Sequence, residues 1–393
     1  MWAFLLFLCT RFFRLVMFSK TMAAKSESSE SPFPIMSSKT MAEKDESSES
    51  PFPIRSLPED IIVDIIARVR RCDHPTLSLV SKHLRSIVSS PELYARRSLL
   101  GRTEHRLYVL LHLSDYNTSK KCWYVLRNRR FVPVSTPLPT SGSFIAAGSK
   151  IYVFGMDCYS TTAVSIQCPS HTVKTLPSMP YMLTRAASII DGKIHVSGNC
   201  DYDGFEVSML VFNTETQMWE PEIIEPDIKV FPLIRSSVVM ADKIYIATYQ
   251  NSIFYHPKER TWGKDEMLDS KMWNFANACV VDDVLYYYDA SENCLRTYDP
   301  NKRCWGVVNG LDDLLVTTRG SLRGSETVSY SGKLALFFLK EAVRGNGIWC
   351  AEISLETRQG GEIWGKVEWC HQVLIVEDEF AFEFPIKLLP VML

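Results

Sequence analysis

The residue types that perform catalysis or bind metals are scattered along this chain. Its 393 residues include eight histidines and eleven cysteines, and the cysteines form no Cys-x-x-Cys pair of the kind found in structural zinc sites. Cys370 and His371 are adjacent, but neighbouring residues on a strand point to opposite faces of a sheet. The acidic pair Asp282-Asp283 falls in turn-like sequence, where acidic residues are common. Since no phosphate-binding loop, dinucleotide fingerprint or serine-nucleophile elbow occurs either, we expect no catalytic residue, no metal site and no cofactor.

Length, charge and composition narrow the class of protein further. The length predicts two or three folded units with enough apolar material for a sizeable core. Lysine and arginine number 43 against 45 aspartate and glutamate residues, so no basic excess favours nucleic acid as a partner. The aromatic share of 11% suits many short strands, and unpaired, scattered cysteines suit a reducing compartment. We therefore expect a largely β protein of the cytoplasm, the nucleus or both.

The N-terminal residues do not resemble a folded domain. Residues 1–18 are apolar but broken by Arg11 and Arg14, and the uninterrupted run at 2–9 is far shorter than the about 20 residues that span a bilayer. We interpret 1–18 as an apolar N-terminal extension and expect no membrane partner, although a transit peptide or a weak anchor remains an alternative.

A tandem repeat follows this extension. Residues 19–35 and 38–54 match at fifteen of seventeen positions. Their serine, glutamate and proline content cannot bury enough apolar surface to offset the entropy of ordering. The segment 19–55 is therefore predicted to be disordered.

Helical signals begin at Ser56. Ser56 and Glu59 have the spacing of a capping box, and Pro58 suits the first turn of a helix. Isoleucines recur on one face of this helix, Asp73 offers a second N-cap, and Ser90-Pro91 offers a third. Residues 56–102 are therefore predicted to form three short helices, whose small core leaves part of the apolar stripe to face a partner.

Three motifs within 56–111 identify a family resemblance. They are the Leu-Pro opening at 57–58, the segment Pro-Thr-Leu-Ser-Leu-Val-Ser-Lys at 75–82 and the segment Ser-Pro-Glu-Leu-Tyr at 90–94. In this order and spacing they resemble the F-box of plant F-box/kelch-repeat proteins. In that family the F-box binds the Skp adaptor of a Skp-cullin-F-box ubiquitin ligase.

The resemblance implies an adaptor-binding surface on the predicted helices. Leu84 stands where family members often carry an aromatic residue, which implies a smaller contact there. A local charge of +4, from ten basic and six acidic residues in 55–106, also suits an acidic partner with a hydrophobic groove, with Lys82, Arg85, Arg96 and Arg97 beside the apolar face. The residues that the resemblance assigns to this surface are Leu57, Pro58, Ile61, Ile62, Ile65, Val80, Ser81, Lys82 and Leu84.

Residues 103–393 show a repeat of 40 to 50 residues. Turns followed by strand-like runs recur, and the residues after the turns are separated by 43, 50, 41 and 49 positions. A second anchor, Trp219, Trp262 and Trp305, recurs every 43 residues after an aromatic residue. The anchors after the turns are Lys150, Lys193, Lys243, Val284 and Lys333.

This period resembles the kelch blade, a four-stranded sheet of a β-propeller. The expected fold is thus a small all-α F-box domain of three helices followed by an all-β kelch propeller of about six blades, some of them degenerate. The periodic tryptophans are expected to pack between blades. Loops ahead of the leading strands are predicted to recognise a target, through Arg185, Arg235, Trp273, Asn274 and Arg319.

The two resemblances together predict a substrate-recognition subunit of a Skp-cullin-F-box ubiquitin ligase. Its partners would be a Skp-family adaptor, through it a cullin, and an unidentified target protein. The alternatives are a kelch scaffold without ligase assembly and a propeller enzyme whose N-terminal helices merely cap it. Adaptor binding separates the first function from the other two.

Overall fold

The computed structural model divides the chain after Arg102 into two compact units, 1–102 and 103–393. The predictions for 1–18 and 19–55 and the capping role of Ser56 lie outside the described residues. None of the helices in the described part combines the length and the apolar character needed to cross a bilayer. The structure describes residues 57–114, 119–156, 160–182, 186–199, 207–226, 234–248, 250–271, 273, 278–318, 325–342, 345–376 and 381–393.

The first unit contains four short α-helices within 59–99, where the sequence predicted three. Ser81 divides the predicted second helix, because its backbone is extended (φ −155°, ψ 159°). The Ser81 Oγ accepts a hydrogen bond from the Leu84 backbone N–H at 3.1 Å, which makes it an N-cap that the sequence reading missed. The helices are α1 (Glu59–Arg68), α2 (His74–Val80), α3 (Lys82–Val88) and α4 (Pro91–Leu99), with a 3-10 turn at Arg71–Asp73.

The three predicted helix starts lie at or near their predicted positions, and Asp73 occupies the N-cap position of α2, although its side chain makes no capping hydrogen bond. Ser90 caps α4, since its Oγ accepts the Leu93 N–H at 3.2 Å and Pro91 occupies the first turn. Helix α1 begins two residues later than the capping box predicts, because Pro58 is its N-cap with an extended ψ of 146°. Pro58 is therefore not a first-turn residue.

The helices bury a common apolar core. The isoleucine stripe of α1 divides between two faces: Ile62 and Ile66 are buried, Ile65 is half-buried and Ile61 is exposed. Arg97 is also buried, and its Nη1 donates to the carbonyls of Ala67 at 3.0 Å and Val69 at 2.7 Å. These bonds satisfy the C-terminal end of α1. The core residues are Ile62, Val63, Ile66, Ala67, Leu77, Leu84, Ile87, Val88 and Leu93.

The second unit is mostly β-structure. Its strands are β1 (His105–Ser114), β2 (Ser119–Arg127), β3 (Arg130–Pro133), β4 (Ser143–Ala147), β5 (Lys150–Phe154), β6 (Ala163–Gln167), β7 (Thr172–Thr175), β8 (Ala186–Ile190), β9 (Lys193–Asn199), β10 (Val207–Asn213), β11 (Met218–Trp219) and β12 (Ile234–Met240). They continue with β13 (Lys243–Thr248), β14 (Ser252–His256), β15 (Thr261–Lys264), β16 (Cys279–Val281), β17 (Val284–Asp289), β18 (Cys294–Asp299), β19 (Cys304–Asn309), β20 (Ser325–Tyr330), β21 (Lys333–Ala342), β22 (Gly345–Thr357), β23 (Ile363–Val376) and β24 (Ala381–Met392). A helix that the sequence reading missed, α5 (Asp312–Thr318), interrupts the all-β pattern, because Leu311 and Leu314 fill the core beside β17 and β21.

The strands form antiparallel sheets in a propeller arrangement. Four sheets have four strands each, in the orders β24-β1-β2-β3, β4-β5-β6-β7, β8-β9-β10-β11 and β12-β13-β14-β15. The remaining sheet has eight strands, in the order β16-β17-β18-β19-β23-β22-β21-β20. Within the described residues, the strand pairing between its two halves is that of β19 with β23, which run parallel and pair Val308 with Ile363 and Asn309 with Trp364.

One edge strand of each four-stranded sheet and both edge strands of the eight-stranded sheet, here called the first strands, contact one another in a closed ring. Strand β24 packs on β4, β4 on β8, β8 on β12, β12 on β16, β16 on β20, and β20 on β24. The C-terminal strand β24 also pairs with β1, the N-terminal strand of this unit, in one sheet. Backbone hydrogen bonds between Glu104 and Leu393, at 2.8 and 2.9 Å, hold the two ends together.

The turn anchors identified in the sequence begin the second strand of each sheet concerned. Lys193, for example, starts β9 after a two-residue turn in which Asp191 (φ 49°) and Gly192 (φ 73°) are both left-handed. Two positive φ values are typical of the type I′ turn, whose twist matches a hairpin. The Asp282-Asp283 pair forms such a turn (φ 48° and 61°), so its acidic residues are turn residues.

The periodic tryptophans pack as predicted. Trp219 lies directly opposite Phe212 in its sheet, Trp262 opposite Tyr255 and Trp305 opposite Tyr298. The ring centroids in these pairs are 5.0, 4.8 and 4.9 Å apart. Such spacing is typical of packed aromatic pairs. Trp219 also contacts Phe154 of the preceding sheet, with centroids 5.4 Å apart, which joins the two sheets.

Candidate functional site

The start of α1 presents an apolar surface to solvent. Leu57 and Pro58 are exposed, and 44% of Ile61 is accessible one turn further along the helix. Ile65, on the same side of α1, is half-buried. The helix exposes these residues because its opposite face, with Ile62 and Ile66, fills the core. A small unit that leaves large aliphatic side chains uncovered has the properties of a docking surface.

Two residues assigned to this surface by resemblance are instead core residues. Ile62 on α1 and Leu84 on α3 are both buried in the helical core. Their side chains support the surface residues from behind and offer little area to a partner. The short sequence spacing between Ile61 and Ile62 places them about 100° apart on the helix, so one is exposed and the other is buried.

A second exposed apolar group lies at the end of α2. Val80 is exposed, Lys82 is exposed at the start of α3, and Ser81 between them is half-buried with its Oγ used as a cap. Leu79, which the sequence reading missed, has 65% of its surface accessible. Its signal was present, because Leu77 and Leu79 are two residues apart and lie on different sides of a helix. Leu77 is buried, so Leu79 is left outside.

The basic side chains near these surfaces divide into structural and exposed groups. Arg96 is engaged by Asp64, with Nε 2.6 Å from Oδ1, and Arg97 is buried. Lys82 and Arg85 are exposed, although the Arg85 Nε also donates to the Ser78 carbonyl at 3.1 Å. The local positive charge available to an acidic partner is therefore smaller than the sequence count indicates, and it is concentrated at α3.

Asp64→Asn is expected to loosen α1 from α4. Arg96, together with Arg68, holds the pKa of the Asp64 carboxyl below its usual value. Because the folded pKa is lower than the unfolded one, the ionised carboxyl stabilises the helices above about pH 4, and this contribution is lost as the pH falls. Both arginines are partly exposed, so we expect the substitution to lower the free energy of unfolding of the helical unit by about 1 kcal/mol at pH 7. Amide hydrogen exchange of residues 59–99 in the intact protein measures this change in free energy.

Asp60, exposed on the same helix, provides the control. Asp60→Asn is expected to change the free energy of unfolding measured by hydrogen exchange by less than about 0.5 kcal/mol. The effect of Asp64→Asn should shrink as the pH is lowered toward 3. A pH-independent effect, or equal effects of both substitutions, would contradict the role given to the carboxylate.

The predicted recognition residues of the propeller have different environments. Arg185, Asn274 and Arg319 lie outside the described residues. Arg235 is exposed near the start of β12, at a β-bulge where the register shifts between Ile234 and Ser236. A bulge redirects the side chain at its extra residue, so Arg235 keeps its place as a candidate contact.

Trp273 is a core residue rather than an exposed recognition residue. Only 1% of its surface is accessible, and its Nε1 donates to the Ser252 Oγ at 3.0 Å. It packs in a cluster with Met240, Leu268 and Tyr298. An indole that is buried and hydrogen-bonded in this way stabilises the sheets and is removed from the candidate recognition set.

The most strongly perturbed carboxyl of the described residues is Glu326 on β20. Burial raises its pKa to about 8, and burial lowers the pKa of Lys387 on the neighbouring strand β24, which is its charged partner. Strands β20 and β24 contact each other at the closure of the strand ring. The two groups therefore lie on the two strands that meet at this closure. Within the described ranges, no cluster of three histidine, cysteine, aspartate or glutamate residues is arranged to hold a metal ion.

Comparison with protein-family models assigns both units. The F-box domain model matches residues 54–96, which include α1 to α3 and the start of α4. The model described as FKB95, Kelch-repeats domain, matches residues 107–374, which include the propeller strands from β1 to β23. The resemblances identified in the sequence are confirmed by these matches.

Curated proteins of Arabidopsis thaliana are similar to this chain over most of their length. F-box/kelch-repeat protein At4g38940 is 44% identical over 342 residues, which cover 81% of this chain and 90% of the relative. F-box/kelch-repeat protein At4g39240 is 37% identical over 340 residues, covering 82% and 87%. Putative F-box/kelch-repeat protein At1g60570 is 36% identical over 356 residues, covering 84% and 92%. Because the kelch-repeat model covers more than half of the chain and these relatives align with more than four fifths of it, this chain belongs to the F-box/kelch-repeat protein family.

Proposed function

We propose that this chain is the substrate-recognition subunit of a Skp-cullin-F-box ubiquitin ligase. In this function the helical unit binds a Skp-family adaptor, and through it a cullin, while the propeller binds a target protein. The chain is an adaptor without a catalytic residue of its own. It raises the effective concentration of the target near the ubiquitin carrier of the assembled ligase. Its expected compartment is the cytoplasm, the nucleus or both.

The observation that carries this proposal is the uncovered aliphatic surface of the F-box. Leu57, Ile61, Leu79 and Val80 are exposed although the helices have a filled core. Lys82 is exposed immediately after Val80, which suits a partner with an apolar groove and acidic flanks. Membership of the F-box/kelch-repeat family supports the same partner.

We infer six propeller blades for target binding. The two halves of the eight-stranded sheet are joined by two residue pairs only, so each half counts as one blade of four strands. Together with the four other sheets this gives six, in agreement with the closed ring of first strands. Six blades form a rigid platform on which loop residues such as Arg235 contact the target.

The test is capture of a purified Skp-family adaptor by the intact chain and by a Leu57→Ala/Pro58→Ala variant. We expect the intact chain to retain the adaptor and the variant to lose at least about tenfold in affinity, because both changes remove apolar contact area. Both proteins should show the same thermal unfolding of the propeller. If the intact chain retains no adaptor, the ligase function is rejected in favour of a kelch scaffold or a propeller enzyme.

A further inference from the structure

The hairpin between β2 and β3 displays three arginines in four residues. Asn128 and Arg129 form its turn, with left-handed φ values of 47° and 60°. Arg127 ends β2 and Arg130 begins β3, and the two are directly paired in the sheet. All four side chains are exposed. We refer to residues 127–130 as the arginine hairpin.

The two paired arginines of this hairpin have no carboxylate partner. Within the described residues, no carboxylate oxygen lies within 4.0 Å of the guanidinium nitrogens of Arg127, Arg129 or Arg130. Like charges directly opposite each other in an antiparallel pair destabilise a sheet. An anion placed between Arg127 and Arg130 would remove this repulsion. The hairpin therefore has the electrostatic properties of an anion-binding site.

A pocket adjoins the arginine hairpin within the propeller unit. Its volume is about 450 Å³, and Arg127 and Asn128 line it together with residues from β1, β20, β21 and β22. Its two carboxylates are already engaged, because Glu104 bonds Arg106 at 3.1 Å and Glu352 bonds Lys333 at 2.8 Å. Among the lysine and arginine side chains that line the pocket, Arg127 is the one without a carboxylate partner in the described residues.

The remaining arginine is oriented by an aromatic surface on β23. The Arg129 guanidinium lies 5.3 Å from the ring centre of Trp369, and its Nη1 is 3.3 Å from the His371 Nε2. The Trp369 and His371 rings are stacked, with centroids 6.1 Å apart. A cation–π contact holds a guanidinium in place while its edge stays open to an acceptor. These contacts therefore orient the Arg129 guanidinium against β23, at the turn between Arg127 and Arg130.

We propose that the arginine hairpin and its adjoining pocket bind an acidic segment of the target protein. The target assignment rests on the proposed function, whereas the binding of an acidic peptide does not. Arginine forks recognise carboxylates through paired N–H donors, and this arrangement provides two opposed forks and a third one beside an aromatic ring. The hairpin is small for a nucleic acid, since duplex binders commonly contact six to ten phosphates. The proposed targets are therefore proteins that expose a Glu- or Asp-rich segment.

The test measures binding of a fluorescein-labelled decapeptide of alternating glutamate and glycine to the intact chain. At about 25 mM salt, where screening is weak, we expect binding that is lost when glutamine replaces glutamate in the peptide. The double variant Arg127→Gln/Arg130→Gln should bind about tenfold more weakly, which corresponds to two exposed ion pairs. Lys174→Gln/Lys264→Gln removes the same charge from exposed lysines on β7 and β15 and should leave binding unchanged.

Several results would overturn this proposal. They are absence of binding by the intact chain, equal loss in both double variants, and tighter binding of a single-stranded DNA decamer at the same hairpin. Thermal unfolding gives an independent readout, since removing like-charge repulsion should not lower the midpoint of the Arg127→Gln/Arg130→Gln variant. A lower midpoint would indicate a structural role instead.

Adaptor capture by the same proteins separates this proposal from the proposed function. Both double variants should retain a purified Skp-family adaptor as well as the intact chain does. If no form captures the adaptor but the peptide results are as expected, the acidic-peptide site stands and the ligase assignment fails.

Discussion

Ile61→Glu is expected to abolish binding of a Skp-family adaptor while the F-box stays folded. Ile61 has 44% of its surface exposed, so a glutamate there is solvated in the free protein. In the complex the same carboxylate would be buried in an apolar contact without a partner, which costs several kcal/mol. We expect a loss of at least about 100-fold in affinity, measured with purified adaptor by surface plasmon resonance.

Leu99→Glu is the matched control for this substitution. Leu99 lies at the end of α4 in the same unit, and 79% of its surface is exposed, but it is outside the proposed docking surface. The same chemical change there should alter adaptor affinity by less than about twofold and leave the helices equally protected from hydrogen exchange. Retained binding in Ile61→Glu combined with lost binding in Leu99→Glu would show that the adaptor docks elsewhere.

The comparison of Ile61 with Ile62 shows what the sequence could predict of the F-box surface. The apolar stripe and the order of motifs correctly indicated helices, caps and family. They did not decide which isoleucine faces the core, because that depends on where α3 and α4 pack. Ile62 faces Leu84 and Leu93 in the core cluster, whereas Ile61 lies one position away and outside it. Packing between helices that are apart in the sequence determines which isoleucine is buried, and the local periodicity of apolar residues gives no information about that packing.

The propeller was more predictable at its turns than at its loops. The anchors from Lys150 to Lys333 marked the second strands correctly. Four of them, Lys193, Lys243, Val284 and Lys333, follow two left-handed residues, as a type I′ turn requires, and such turns favour glycine and aspartate. The tryptophan anchors were equally informative, because each one pairs across a hairpin with an aromatic residue close in sequence. Both signals are local in the chain, which is why a repeat could be recognised without a structure.

Contacts between distant segments account for what the sequence reading missed. Trp273 read as a loop residue, but Ser252 and Tyr298 enclose it from other strands. Glu326 was not singled out in the sequence, because its burial and the charge of Lys387 that acts on it come from strands far apart in the chain. Arg129 meets His371 across 242 positions of sequence, so its aromatic support was invisible in either segment alone. The environment of a side chain in this fold therefore depends on contacts between strands that are far apart in the sequence.

Val391→Asp is expected to unfold the propeller at a much lower temperature. Val391 on β24 is fully buried and packs in a cluster with Leu389, Leu393 and residues of the β4 sheet. An aspartate there would bury an unpaired carboxylate, which we expect to cost at least about 4 kcal/mol. At roughly 2–4 °C per kcal/mol for a domain of this size class, the midpoint should fall by about 10 °C. Thermal unfolding monitored by tryptophan fluorescence measures this shift.

Met392→Asp isolates burial as the cause, because it changes the next residue of the same strand. Met392 has 47% of its surface exposed, and a carboxylate there stays solvated, so its midpoint should lie within about 2 °C of the unmodified protein. The large effect at Val391 follows from the position of β24, which pairs with β1 and contacts both β4 and β20. A blade buries its apolar faces only against its neighbours, so loosening this strand exposes two interfaces at once. Equal midpoints for Val391→Asp and Met392→Asp would mean that β24 does not close the ring of first strands.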